Sequence, residues 1–201
     1  MDITTLDTLR SLYASPRERS VKKELTRLDV HCTRFISLSP LVVLASSGAD
    51  GALDASPRGG APGFVKVLNN NTLLIPDAPG NNRLDSLENI IQTGRIGLLF
   101  LVPGVDETLR VNGTATLSTH AADLAACADT KRTPKLVIRV TVQATYLHCA
   151  KALMRSGLWD ASRHVDRSVM PSMGEMMKDQ IGGDIPCETQ VEMLARYAQD
   201  L

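Results

Sequence analysis

Strand-like segments joined by short turns constrain the fold of this chain more than any other feature of its sequence. About six such segments fill the middle of the chain, and most are separated by turns of Gly, Asn, Asp or Pro rather than by helices. Hairpin connections favour antiparallel pairing over a doubly wound parallel sheet. We therefore predict a mainly β protein with peripheral helices and a six-stranded antiparallel sheet, closed or nearly closed into a barrel because closure removes exposed edges.

The length and charge of the chain set its organisation. We predict one domain over residues 1–201, with N-terminal helices over about residues 1–38 and C-terminal helical segments over about residues 150–201 packed on the barrel. Lys plus Arg and Asp plus Glu each number 22, so no net charge draws the protein to nucleic acid or to an anionic membrane. We expect a cytoplasmic protein, because the sequence shows neither a long apolar run nor the features of a signal peptide.

Several familiar catalytic and metal-binding motifs are absent from the sequence. It contains no Rossmann glycine fingerprint, P-loop, nucleophile elbow or His-Glu-x-x-His motif. The four cysteines lack Cys-x-x-Cys spacing, which disfavours a zinc site and a disulfide framework. His148 and Cys149 are neighbours in a strand-like segment and should point to opposite faces. We predict no metal ligand and no protein nucleophile or catalytic base.

The segment Asp77–Ile90 has the composition of an anion-binding corner. Asparagines, a guanidinium and a hydroxyl precede or begin an amphipathic helix, and Gly94 is placed to end it. The first-turn N–H groups of a helix have no partner inside it. A phosphate is one partner for these groups, and Arg83 could add a second contact. The alternative is an ordinary surface helix capped by its own Asn or Asp.

Several short segments occur together in a specific order, which makes them more informative than any one alone. They are Ser56–Gly59, Gly63–Val67, Arg83–Ile90, Gly97–Phe100 and Arg110–Gly113. Over about residues 30–160 the chain thereby resembles the pyridoxamine 5'-phosphate oxidase-like family of FMN-binding split barrels. His148–Ala152 followed by Arg155–Trp159 is similar to a C-terminal segment of one uncharacterised bacterial branch of that family.

The resemblance implies a six-stranded split barrel that forms a homodimer, with FMN in a groove at the subunit interface. It implies that Asn82, Arg83 and Ser86 hold the phosphate and that Lys66 reaches the flavin. It also implies that the polar residue presented to the ring is Arg110 or Thr108. The residues that match cofactor-binding positions are Arg58, Phe64, Val65, Lys66, Pro76, Asp77, Asn82, Arg83, Ser86, Thr108, Arg110 and Trp159.

The functional interpretation leaves alternatives open. The chain is expected to be an FMN-dependent oxidoreductase that acts on a small molecule by hydride transfer at flavin N5, because such a reaction needs no protein nucleophile. The C-terminus lacks the arginine and histidine segment of the vitamin oxidases, so a different substrate is expected. A deazaflavin-dependent reductase is one alternative. A non-enzymatic flavin or haem carrier or sensor, with His148 or His164 as the haem ligand, is another.

Two of the expected site residues also have ordinary structural interpretations. Lys66 lies in a strand-like segment with alternating polarity, where a lysine is commonly a solvated outward residue. Arg110 could form an ion pair with a carboxylate on a neighbouring strand.

Overall fold

The structure is a computed structural model that describes residues 2–129, 132–183 and 186–199. It is mainly β, with one antiparallel sheet and helices around it, as the sequence predicts. The sheet has seven strands rather than the six expected. The strands are β1 (Leu41–Ser47), β2 (Leu53–Gly59), β3 (Lys66–Asn69), β4 (Thr72–Pro76), β5 (Arg95–Leu101), β6 (Thr108–Ser118) and β7 (Val137–His148).

The strands follow the order β2-β1-β5-β6-β7-β4-β3, and every neighbouring pair is antiparallel. The edge strands β2 and β3 do not pair with each other, so the prediction of a closed barrel is wrong. Two of the seven, β3 and β4, are short strands on either side of the turn at Asn70 and Asn71. Short turns join β1 to β2 and β3 to β4 as antiparallel hairpins, which confirms the hairpin connections predicted from the Gly, Asn and Asp turns.

The core lies on one face of this sheet and follows the alternation of the strands. Successive residues of a strand point to opposite faces, so Leu109 and Val111 of β6 face the core while Arg110 between them faces outward. Strand β4 is buried on both faces. Leu73 and Ile75 join the main core, and Leu74 packs in a smaller cluster that also contains Cys127.

A β-bulge interrupts the longest pairing of the sheet. The register between β6 and β7 shifts between Asn112 and Gly113. A Cβ atom built on Gly113 would lie 2.0 Å from the carbonyl oxygen of Thr141. Because that neighbour is backbone and cannot rotate away, only glycine permits this close approach of the two strands.

The helices come before, between and after the strands along the sequence. They are α1 (Leu6–Ser11), α2 (Glu18–Lys22), α3 (Val30–Leu38), α4 (Asp85–Thr93), α5 (Ala121–Cys127), α6 (Lys151–Ser156), α7 (Met173–Ile181) and α8 (Gln190–Tyr197), with short 3-10 helices at Ala161–Arg163 and Arg167–Val169. In α4, Leu87 and Ile90 face the core, and the helix ends at Gly94 with φ +65°, as predicted.

The chain forms two compact units, which meet in sequence between Trp159 and Asp160. The first contains the whole sheet and α1 to α6. The second contains α7 and α8, each of which begins with a complete capping box, at Ser172 and Thr189. The single domain expected from the sequence, with its last segment packed on the barrel, stays a prediction. Among the described residues, no helix is both long and apolar enough to cross a membrane.

Candidate functional site

Both edges of the sheet border one groove of about 860 Å³. Strand β2 contributes one wall, and β3 with the end of β4 contributes the other. The start of α4 and the loop before it close one side, and the end of α5 lies opposite. The sheet therefore curls far enough for its unpaired edges to approach the same space, although they do not join.

The first turn of α4 opens toward this groove without a capping side chain. The N-cap residue is Leu84, and no side chain accepts a hydrogen bond from the first-turn amides in the way a cap does. The predicted alternative, a helix capped by its own Asn or Asp, is therefore wrong. The Asn81 carboxamide instead accepts from the Arg83 N–H at 2.9 Å. An uncapped helix N-terminus carries a partial positive charge that favours an anion.

The backbone before α4 adopts an unusual conformation. Asn82 has φ +59°, and it is the single non-glycine residue with positive φ in the part of the chain that the structure describes. Asparagine tolerates the left-handed region better than most residues because its short side chain bonds locally. The turn places the Asn82 and Arg83 side chains on the wall of the groove.

A hydrogen-bonded network joins β2 to α4 across the groove floor. The Arg58 Nη1 donates to Ser56 Oγ at 2.6 Å and to the Pro57 carbonyl at 2.9 Å, and its Nη2 donates to Ser86 Oγ at 3.2 Å. The Ser86 hydroxyl in turn donates to the Asp54 carboxylate. Arg58 is therefore held in one position by three hydrogen bonds, with its charge directed toward the start of α4.

Arg83 is held much less firmly. Its Nε lies 2.5 Å from Asp85 Oδ2, and the side chains are 76% and 47% exposed. Solvent-exposed ion pairs of this kind contribute little to stability because water and salt screen them. Arg83, the residue predicted to contact a phosphate, thus pairs with the carboxylate of Asp85. Because the pair is exposed, replacing it with a phosphate contact costs little, and the groove beside it is open.

The other predicted residues on the sheet edges divide between groove and core. Lys66 is half-buried, and its Nζ donates to the Gly63 carbonyl at 3.0 Å. It lines the groove together with Phe64 and with Pro76 and Asp77 at the end of β4. The Val65 side chain is only 3% exposed and belongs to the core. Val65 is not among the residues that line the groove.

Three further predicted residues, besides Val65, lie outside the groove. Thr108 and Arg110 lie on β6, which does not line the groove. The Trp159 indole N–H donates at 3.0 Å to the carbonyl of Val105, in the loop that precedes β6. Arg110 donates to the hydroxyl of Tyr146, its register partner on β7, at 2.9 Å. The suggested ion pair of Arg110 with a cross-strand carboxylate is therefore wrong. One chain brings together the predicted phosphate residues but not these ring-facing ones.

A group of basic and aromatic side chains surrounds Arg110. We call Lys23, Arg110, Tyr146 and His148 the Tyr146 cluster. The Lys23 Nζ lies 5.4 Å and the Arg110 Cζ 5.5 Å from the Tyr146 ring centroid, and the His148 ring centroid lies 4.9 Å from it. Burial, and then the charges of Arg110 and Lys23, lower the pKa of His148 below its usual value.

The sequence interpretation missed several groove residues. Asp54 alternates with Ser56 and Arg58 on one face of β2, so the period of two could have identified it. Cys127 lines the groove at the end of α5, and burial raises the pKa of its thiol. Lys135 also lines the groove. No local motif marks the last two, because they come from a separate part of the chain.

Comparisons with known proteins agree with this fold. The fold and groove define an antiparallel split-sheet protein with a ligand-sized cleft between its sheet edges. The family model described as pyridoxamine 5'-phosphate oxidase matches residues 28–149. The chain belongs to that family, which confirms the predicted resemblance. No curated protein matches the chain.

Solved structures are similar to this chain at low sequence identity. HupZ from Group A Streptococcus is 18% identical, with a TM-score of 0.50 over 60% of this chain and 93% of that one. An FMN-binding protein from Syntrophomonas wolfei is 12% identical, with a TM-score of 0.43 over 72% of this chain and 97% of that one. The first similarity supports the sheet architecture alone.

Proposed function

We propose that this protein is an FMN-dependent oxidoreductase that binds the phosphate of FMN at the start of α4. The observation that carries the proposal is the uncapped N-terminus of α4 opening onto a groove beside the fixed guanidinium of Arg58. A helix N-terminus next to an arginine is a favourable place for a phosphate. Family membership supports flavin as the group that carries it.

The residues of the groove fit an FMN molecule. A volume of about 860 Å³ lies within the range of pockets that hold small ligands and cofactors. Arg58, Arg83 and Asn82 offer N–H donors to a phosphate, and the Ser86 hydroxyl would do so after turning from Asp54. Exchanging the exposed Arg83–Asp85 pair for a phosphate contact costs little.

Lys66 is the residue proposed to tune the redox chemistry. When bound, FMN supplies hydride transfer at its N5 atom. The half-buried Lys66 ammonium would favour the negative charge that flavin acquires on reduction, and its bond to the Gly63 carbonyl holds it at the groove wall. Phe64, together with Pro76 and Asp77 at the end of β4, would exclude water from one side of the flavin ring.

A homodimer would place the remaining predicted residues. Thr108, Arg110 and Trp159 lie outside the groove of their own chain, so we propose that they serve the groove of a partner copy. The test mixes chains carrying Arg58→Ala with chains carrying Arg110→Ala, each of which should bind flavin weakly alone. Mixed dimers contain one intact site and should regain binding, whereas failure to regain it would assign both residues to one chain or remove Arg110 from the site.

The function is tested by comparing FMN with riboflavin. FMN and riboflavin share the ring, and only FMN carries the phosphate. A phosphate-binding site at the start of α4 therefore predicts much tighter binding of FMN than of riboflavin. We expect the purified protein to show flavin absorbance, to release FMN on denaturation, and to be bleached by a reduced nicotinamide and recoloured by oxygen. Equal affinity for riboflavin would remove the phosphate site. Binding of a deazaflavin coenzyme in place of FMN would favour the deazaflavin-dependent reductase. Binding of a flavin without turnover would favour a carrier or sensor.

A further inference from the structure

The Tyr146 cluster carries two positive charges that no carboxylate balances. Among the described residues, neither Lys23 nor Arg110 takes part in an ion pair. Lys23 instead donates to the Leu147 carbonyl at 2.6 Å, and Arg110 donates to the Tyr146 hydroxyl. Both cations stand beside the same aromatic ring. Protein cations gathered without acidic partners leave a local field that attracts anions.

The donors of the cluster are only partly used. A guanidinium and an ammonium each carry several N–H groups, and the recorded bonds occupy one on Lys23 and one on the Arg110 side chain. The Tyr146 hydroxyl accepts from Arg110, which leaves its own proton free to donate. Three donor groups, from the residue that follows α2, from β6 and from β7, thus lie around one aromatic ring.

His148 adds an independent observation. Its Nε2 is buried and has no hydrogen-bond partner, and it is the one side-chain nitrogen or oxygen of this kind in the described part of the chain. Buried polar atoms in folded proteins are nearly always hydrogen-bonded, so an orphaned one indicates a group that pairs with something else. The charged groups that shift the pKa of this imidazole, Lys23 and Arg110, are both cations.

We propose that the Tyr146 cluster is a binding site for an oxyanion, with Arg110, Lys23 and the Tyr146 hydroxyl as donors. The substrate class is then a small molecule with a carboxylate or phosphate group. The aromatic rings of Tyr146 and His148 would pack against its body. The anion site is defined without the flavin, whereas its assignment to the substrate rests on the proposed function.

The test follows the His148 ring by NMR in the full-length protein while phosphate or benzoate is added at constant ionic strength. The chain has four histidines, and His148→Gln assigns the signal. A bound anion offsets the two cations, so the pKa of His148 should rise to a limit as the anion saturates. Saturation by inorganic phosphate identifies a phosphate site, and saturation by benzoate alone a carboxylate site.

Neighbouring lysines provide the matched control. Lys23→Met should weaken anion binding by about threefold to tenfold, because it removes a charge-assisted donor. Lys22→Met removes the same charge one residue away, from an exposed pair with Glu18, and should change nothing. An unchanged pKa of His148 with both anions, or equal effects of the two lysine variants, would overturn the proposal. Because the flavin titration is separate, this outcome is distinguishable from failure of FMN binding.

Discussion

Replacing Arg58 with Ala should weaken FMN binding more than any other single change in the groove. The guanidinium is fixed by bonds to Ser56, Pro57 and Ser86, so it loses little conformational freedom when it meets a phosphate. A charge-assisted hydrogen bond contributes about 1.5–3 kcal/mol, which corresponds to a rise in Kd of about 10- to 150-fold. Riboflavin, which lacks the phosphate, should lose almost nothing.

The measurement is a titration of FMN with flavin-free protein, in which quenching of the flavin fluorescence reports binding. Arg95→Ala serves as the control, because Arg95 begins β5 outside the groove and is exposed. Thermal unfolding of each variant checks that the edge strand β2 remains folded. If Arg58→Ala binds FMN within about twofold of the unmodified chain, or weakens riboflavin equally, then Arg58 does not contact the phosphate.

Further predictions concern redox tuning, strand packing and acid stability. Lys66→Met should lower the flavin reduction potential, measured against a reference dye, with little change in affinity; an unchanged potential would exclude the redox role. Gly113→Ala should destabilise the protein by about 1–3 kcal/mol in urea unfolding, because its Cβ would meet a backbone carbonyl, whereas Gly80→Ala has open space and should be near neutral. Hydrogen bonding from a serine and the charge of an arginine lower the pKa of Asp123. Its stabilising contribution is therefore complete above the unfolded pKa of about 4 and is lost as pH falls toward the folded pKa. Asp123→Asn should flatten that acid dependence of the unfolding free energy.

Local patterns predicted the elements of this fold well. The end of α4 at Gly94, the two hairpin turns and the antiparallel pairing all depend on short-range chemistry that is visible in the sequence. The strand count and the open barrel depend on how far the sheet curls, which is a property of the whole assembly. Alternation of residues along one strand does not specify that curvature.

Sequence reasoning named residues of the groove mainly where they are neighbours in sequence, and their role as a cofactor site stays a prediction. Asn82, Arg83 and Ser86 lie together at α4, and all three line the groove. The link from Arg58 through Ser86 to Asp54 joins residues more than two dozen positions apart, and no motif spacing reveals it. The grouping of the Tyr146 cluster was missed for the same reason, because Lys23 donates to Leu147, which lies 124 positions later in the sequence.

Arg58 and Arg83, two of the arginines that line the groove, differ in a way that points to different roles in the proposed site. Arg58 is half-buried and fixed by neutral partners, so its charge is available to an anion without breaking an ion pair. Arg83 is exposed and must leave Asp85 before it contacts a phosphate. The net gain from Arg83 is therefore smaller and more sensitive to salt than the gain from Arg58. In the proposed site, a phosphate at the start of α4 would therefore be held mainly by the β2 edge and the helix amides, and Arg83 would add an exposed outer contact.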